Sequence, residues 1–213
     1  MLFGKIDYIN LLPFYTFSKR YIKNSQFKQS INYKKDFPSA INKKFKQRKI
    51  DAAFISSIES QRGNFKKLDI GIIAKKEIKS VLVKKGIYKP DSHSATSNLL
   101  AKKLDIEGEV IIGDKALKAY IANPNEFIDL AKVWNQRYDL PFVFARLCVH
   151  KNIDYYTKLS SRFSSSKIYI PQYIINKYSK SRKISPKEIK TYLKLVSYKL
   201  DPKAKRGLKR FLG

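Results

Sequence analysis

Apolar positions along this chain recur with two alternating periods, one near 2 residues and one near 3.6. At the start, Leu2, Phe3, Ile6, Tyr8 and Ile9 supply the β-branched and aromatic residues of a short strand. Asn10 stands where that strand gives out, and Pro13 suits the first turn of a helix, where its missing N–H costs nothing. An amphipathic helix is predicted over Phe14–Ile22 and a second strand over Ser30–Asp36. The next helix runs from Phe37-Pro38-Ser39 to Arg48, with Ala40, Ile41 and Phe45 on one face. Lys49–Ile55 reads as a buried strand ending at Ser56-Ser57. Those serines open another helix, with Glu59 placed after Ser56 as in a capping box. Leu68–Ala74 is a further apolar strand. This β-α-β-α-β-α-β order predicts an α/β fold with a parallel sheet and helices on both faces.

Ser80–Lys84 is the next strand, and the pattern then changes. Pro90–Ser97 is polar, followed by Leu99, Leu100, Ala101 and Leu104 at helical spacing. Glu109–Asp114 predicts a strand ending in Gly-Asp, with a helix from Lys115 to about Ile121. Asp129–Trp134 leads into Leu140–Val149, a long, apolar, β-prone run. Paired with Ser80–Lys84, that run would make two strands crossing between lobes, as in a hinge. The remainder is basic and predicted helical over Tyr155–Phe163, Pro171–Ser179, Pro186–Lys199 and Lys203–Leu212. There are no internal repeats and no low-complexity linker.

Composition narrows the class. At 213 residues with 43% hydrophobic and 13% aromatic content, the chain can bury a sizeable core. One cysteine, Cys148, excludes an internal disulfide, and two histidines, His93 and His150, are too few for a histidine-rich metal centre. No apolar run approaches the roughly 20 residues that cross a bilayer, so no membrane partner is predicted. Asp7 and Asn10 interrupt the only candidate export signal, so the expected location is the cytoplasm. Lys and Arg number 45 against 17 Asp and Glu, a formal net charge of +28. The lysines occur in scattered pairs such as Lys34-Lys35 and Lys102-Lys103, without a helix-turn-helix, zinc-finger, RNP or KH signature. They predict a solvated surface that attracts small anions, with no specific nucleic acid bound.

Four polar groups fall at strand ends or helix starts: Asn10, Ser56-Ser57, Ser94-Ala95-Thr96-Ser97 and Gly113-Asp114. In a two-lobed α/β protein such positions converge on one cleft. Helix N-termini there present free N–H groups and partial positive charge, which suits a carboxylate or phosphate. Walker, Gly-x-Gly-x-x-Gly, His-Glu-x-x-His and Gly-x-Ser-x-Gly motifs are missing. No spacing ties His93 or His150 to a serine, and His93 reads as a surface residue. Cys148, inside an apolar run, reads as a small core residue.

Several short motifs occur in a fixed order: Tyr8-x-Asn10-x-x-Pro13, Ile50-Asp51-Ala52-Ala53 before Ser57-Ile58-Glu59, Ser80-Val81, Ser94-x-Thr96-Ser97, Gly113-Asp114-x-Ala116-Leu117, and Asp129-Leu130-x-x-x-Trp134 with Leu140-Pro141-Phe142-Val143-x-Ala145. Together they resemble the chorismate dehydratases of the futalosine route to menaquinone, over about residues 3–146. The resemblance implies a two-lobed type 2 periplasmic-binding-protein-like fold with the ligand cleft between lobes. Residues 1–80 plus about 150–213 would form the first lobe, and about 81–149 the second, including the hinge strands. It implies loss of water from chorismate, a dianionic small molecule, giving 3-[(1-carboxyvinyl)oxy]benzoate without metal or other cofactor. By carry-over, Asn10 is the catalytic candidate beside the reacting ring. Ser80, Ser94, Thr96 and Ser97 would bind carboxylate, with Ser57, Gly113 and Asp114 lining the wall. Ser56 stands where many members have proline, so Ser57 is the carried-over serine. Tyr138-Asp139 stands where many have Thr-Gly. An amide is a poor base, which leaves a substrate carboxylate, or Asp114 if it faces the ring, to take the proton.

Three other readings stay open at this point. One is the sister enzyme that makes 1,4-dihydroxy-6-naphthoate, against which the Asp129–Ala145 signature speaks. Another is a non-catalytic solute-binding protein of the same fold. The third is a nucleic-acid-binding protein carried by the +28 charge alone. Nothing in the pattern specifies an oligomeric state.

Overall fold

In the computed structural model, which describes residues 1–33 and 35–213, the chain opens with β1 (Phe3–Gly4) and a 3-10 turn at Ile9–Leu11. Helices α1 (Leu12–Tyr21), α2 (Ser25–Tyr33) and α3 (Pro38–Lys46) follow, then strands β2 (Ala52–Ser56) and β3 (Lys66–Ala74). A second group comprises β4 (Val81–Lys84), α4 (Ala95–Lys103), β5 (Glu109–Ile112), α5 (Gly113–Ala122), β6 (Phe127–Asp129) and α6 (Leu130–Tyr138). The chain returns through β7 (Phe142–Val149), α7 (Ile153–Ser165), α8 (Gln172–Arg182), α9 (Pro186–Leu193), β8 (Val196–Lys199) and α10 (Pro202–Leu212). Among the described residues the strands make two sheets, ordered β1-β2-β7-β3-β8 and β5-β4-β6, one in each of two lobes.

The predicted all-parallel sheet is not what forms. Among the described strands only β1 and β2 pair in parallel, while β7 runs antiparallel to both β2 and β3 and separates them. The expected pairing of the Leu140–Val149 run with Ser80–Lys84 is not made either, because β4 pairs with β5 and β6 in the smaller sheet. The apolar character of β7 comes from its central place. Both edges are occupied, and Phe142, Val143, Leu147, Cys148 and Val149 are buried. Cys148 is core, and burial pushes its thiol up to about 12. Gly71 sits at a register shift of β3, where a Cβ would meet the Ala145 carbonyl.

Three local predictions also change. Ser30–Tyr33 belongs to α2, not to a strand: Asn24 Oδ1 accepts the Phe27 N–H at 2.8 Å, and Phe27 and Ile31, four apart, are both buried. Of the rest of that predicted strand, Lys34 lies outside the described residues and Lys35 makes a single bridge to Lys5. The Ser56 side chain does not cap a helix. It accepts from Asn42 Nδ2 at 3.0 Å, and only a 3-10 turn forms at Glu59–Gln61. The last third of Pro186–Lys199 is strand β8, which covers the free edge of β3.

Segments 75–80 and 139–141 carry the chain between the sheets, and Asp129 fixes the first crossing to α6. Its Oδ1 accepts from Ala131 and Lys132 N–H at 2.9 and 3.2 Å, which caps α6. Its Oδ2 accepts from Ile78 and Lys79 N–H at 2.8 and 2.7 Å. One turn further, Trp134 is buried edge-on to Phe142 and Phe211, which docks α6 and α10 onto β7. The motif Asp129-Leu130-x-x-x-Trp134 thus ties one crossing and one helix to the core.

Candidate active site between the lobes

Strand β1 hands the chain through Tyr8 to the 3-10 turn at Ile9–Leu11, and Pro13 lies in the first turn of α1. The predicted strand through Ile9 is shorter than expected: β1 ends at Gly4, and Asn10 is presented from the 3-10 turn just before α1. It borders a cavity of about 70 Å³ between the lobes. From the larger-sheet side the wall takes Tyr8, Asn10, Phe54, Ser56 and Phe144. From the other side it takes Ser80, His93, Ser94, Ser97 and Gly113, with isoleucines such as Ile72, Ile78 and Ile112 completing it. Wider grooves of about 670 and 710 Å³ lie on the lysine-rich surface and gather none of the strand-end groups.

Asn10 is 9% exposed, and its Oδ1 is buried without a hydrogen-bond partner among the described residues. Leaving such a group unpaired costs on the order of 1–3 kcal/mol, so its orientation toward the cavity is set by the surrounding fold. Its carbonyl accepts from the Tyr198 hydroxyl at 2.6 Å, and the preceding Ile9 N–H donates to Asp114 Oδ1 at 2.9 Å. Ser80 shares a hydrogen bond of 2.8 Å with the Tyr192 hydroxyl. Ser94 caps α4: its Oγ accepts the Ser97 N–H at 3.2 Å and donates to Ser97 Oγ at 2.7 Å. Gly113 opens α5 with φ of 73°, and its N–H donates to the Ser80 carbonyl at 2.8 Å. A Cβ there would fall 2.7 Å from the Tyr8 ring, so glycine lets the ring close the cavity floor. Burial, with Asp91 and Asp114 adding to it, pushes the Tyr8 hydroxyl up to about 12 and keeps it a neutral donor.

Of the residues carried over by resemblance, Asn10, Ser80, Ser94, Ser97 and Gly113 come together on this wall. Three do not. Ser57 is fully buried, with its hydroxyl donating to the Val143 carbonyl, and Ser56 takes the place on the wall. Thr96 faces the larger lobe, where its Oγ1 accepts the Ile58 N–H at 3.4 Å. Asp114 does not border this cavity but lines an adjoining one of about 620 Å³ that shares Tyr8, His93 and Ile112 with it; Oδ1 holds Ile9 and Oδ2 accepts from Arg182 Nε at 2.9 Å. Burial raises the Asp114 carboxyl, while the Ile9 N–H and Arg182 pull against it. Arg182 in turn donates to the Asp7 carbonyl at 2.7 Å, and Tyr178 donates to Asp7 Oδ1 at 2.8 Å.

Sequence reasoning missed His93, Tyr8, Tyr192 and Arg182. His93 stacks on Phe37 with centroids 4.5 Å apart and planes 8° off parallel, and its Nδ1 shares a hydrogen bond of 3.2 Å with Ser39 Oγ. Its place beside Ser94-x-Thr96-Ser97 was the available signal, as was the motif Tyr8-x-Asn10 for Tyr8. Tyr192 and Arg182 lie in the C-terminal part, where helical periodicity says nothing about which side chains reach the cleft.

The arrangement suits a small anion with several acceptor oxygens. Tyr8, Ser56, Ser80, Ser94, Ser97 and Asn10 border one space beside the start of α4. Apolar residues between them would pack a ring.

Comparisons with known proteins agree with this fold. Solved structures of protein AF1704 from Archaeoglobus fulgidus and of the alkanesulfonate-binding protein SsuA from Xanthomonas axonopodis pv. citri bound to MOPS have the same fold. The first aligns over 98% of this chain and 94% of its own with a TM-score of 0.70 at 14% identity. The second aligns over 99% and 89% with a TM-score of 0.56 at 9% identity. The Candida albicans CA3427 product, which has the generic periplasmic binding protein fold, aligns over 99% and 89% with a TM-score of 0.53 at 11% identity. In sequence, the chain is 49% identical over 215 residues to the chorismate dehydratase of Campylobacter jejuni subsp. jejuni serotype O:23/36 (strain 81-176), covering 100% of this chain and 96% of that protein. A family model described as menaquinone biosynthesis matches residues 88–213. With that match spanning more than half of its length and a relative of this identity along all of it, the chain belongs to the menaquinone biosynthesis family.

Proposed function

We propose that this enzyme is a chorismate dehydratase, a carbon–oxygen lyase of the hydro-lyase class, converting chorismate to 3-[(1-carboxyvinyl)oxy]benzoate in the cytoplasm. The reaction removes the C3 proton and the C4 hydroxide as water, and aromatisation of the ring supplies the driving force. The observation that carries this reading is the buried Asn10 amide, whose Oδ1 has no partner, facing a cavity walled by neutral hydroxyls and two helix starts. Such donors match a dianion's two carboxylates, and the isoleucines match its ring.

The roles follow from donor chemistry. Ser94, Ser97 and the first N–H groups of α4 take one carboxylate, and Ser80, held by Tyr192, helps to orient the other. Asn10, a poor base, stabilises charge developing on the reacting ring through its amide. Both Asp114 oxygens are engaged, by the Ile9 N–H and by Arg182, so the proton goes to a substrate carboxylate. The first lobe comprises the larger-sheet segments up to about residue 76 and from about 142, and the second about 81–138. Closure of the two around chorismate excludes water from the ring.

Purified protein incubated with chorismate should consume it and release an aromatic enolpyruvyl ether, detected by ultraviolet absorbance and mass. Asn10→Ala should lower turnover by at least about tenfold while thermal melting stays within a few degrees of wild type. Wild-type protein that leaves chorismate unchanged would sink the proposal.

A further inference from the structure

We infer that Asp114 and Tyr198 are positioning residues that hold the Asn10 peptide from two sides, and that the Asp114 contact makes Asn10 placement depend on closure of the cleft; this rests on the function proposed above. Asn10 lies in a 3-10 turn of three residues with no side-chain cap, a geometry that holds a peptide weakly by itself. Among the described residues its Oδ1 has no partner, and its side chain meets the Tyr192 hydroxyl. The peptide is fixed more firmly. On one side, the Tyr198 hydroxyl from β8 donates 2.6 Å to the Asn10 carbonyl, with its ring edge-on to Phe163 at 5.2 Å. On the other, the Ile9 N–H donates 2.9 Å to Asp114 Oδ1 at the start of α5.

These two anchors differ in kind. Tyr198 and Asn10 both belong to the larger-sheet lobe, so their bond survives any movement of the lobes. Asp114 belongs to the smaller-sheet lobe, and both of its oxygens reach across the cleft, one to Ile9 and one to Arg182. Arg182 is itself braced by the Asp7 carbonyl and carboxylate at 2.7 and 3.2 Å. Opening the cleft therefore removes one of the two anchors, and closing it restores that anchor. The amide reaches its working orientation only in the closed form, which ties chemistry to sequestration of the substrate.

The test is a double-mutant cycle on chorismate turnover. Tyr198→Phe keeps the ring against Phe163 and loses only the hydroxyl, while Asp114→Ala loses the cross-cleft acceptor. Each should lower kcat by about tenfold and change KM by less than about threefold, and neither should lower the rate further in an Asn10→Ala background. Asp114→Asn, which retains an acceptor for Ile9, should recover much of the kcat lost in Asp114→Ala. Losses that multiply with Asn10→Ala, or a Tyr198→Phe enzyme with wild-type kcat, would overturn the inference while leaving the dehydratase assignment intact. Should Asp114→Ala not fold, Tyr198→Phe and Asp114→Asn decide the matter by the same two criteria. Wild-type protein inert toward chorismate would overturn the proposed function and this inference with it.

Discussion

Replacing Asp129 should reveal how strongly one buried carboxylate holds the crossing between lobes. The residue is 4% exposed and accepts four backbone N–H groups, two at the start of α6 and two at Ile78 and Lys79. In Asp129→Ala the lost helix cap costs about 1 kcal/mol. The N–H groups of Ile78 and Lys79, one buried and one half-buried, are left unpaired at about 1–2 kcal/mol each. The sum is about 3–5 kcal/mol, and at roughly 2–4 °C per kcal/mol for a chain of this size Tm should fall by about 10 °C. Asp129→Asn should cost about 1 kcal/mol less, because an asparagine oxygen still caps α6 while its NH₂ meets the donors of Ile78 and Lys79. Thermal melting by circular dichroism, checked by urea unfolding, measures both. A fall below about 3 °C for Asp129→Ala, or an asparagine variant as unstable as the alanine one, would refute this account of the crossing.

Gly113→Ala should cost about 1–2 kcal/mol for the left-handed backbone and lower chorismate turnover, because its Cβ displaces the Tyr8 ring; melting and initial rates check both. Ser97→Ala should reduce turnover by about tenfold, whereas Ser57→Ala should act mainly on stability, by about 1 kcal/mol, because its hydroxyl serves the Val143 carbonyl. Comparing kcat/KM with Tm for the pair separates the two roles. Burial against Phe45 lowers the His150 pKa, more than its hydrogen bond to the Phe45 carbonyl raises it. The folded state then binds that proton less readily than the unfolded chain. The stability it contributes is present above the ordinary histidine value of about 6.5 and is lost as pH falls through the lowered one. Urea melts should show wild type losing more stability than His150→Gln as pH falls from about 7.5 to 5, and equal losses would contradict the sign.

Much of the site was legible because its residues sit at boundaries. A residue just before a helix or at its start, such as Asn10, Ser94 or Gly113, has few places to go, and the local pattern places it where the chain faces the cleft. What such a pattern leaves open is direction. Ser56 and Ser57 are adjacent, and a strand turns successive side chains to opposite faces, so one residue of register decides which serine borders the cavity. Asp114 shows the same limit: its position was readable, but the discovery that it grips Ile9 and Arg182 instead of the cavity required both lobes.

By itself, the sequence determined most of the helices, the apolar runs that become the core strands, the ordered motifs of the family and the place of Asn10 just before α1, because these depend on contacts between near neighbours. Only the tertiary structure decided that β7 inserts antiparallel between β2 and β3, that Val196–Lys199 becomes a strand, and that His93, Tyr192, Tyr198 and Arg182 reach the cleft. Those outcomes rest on pairings between residues as much as 188 positions apart, which no local period encodes. They are settled by which sheet edge and which buried donor remain open once the rest of the chain has packed.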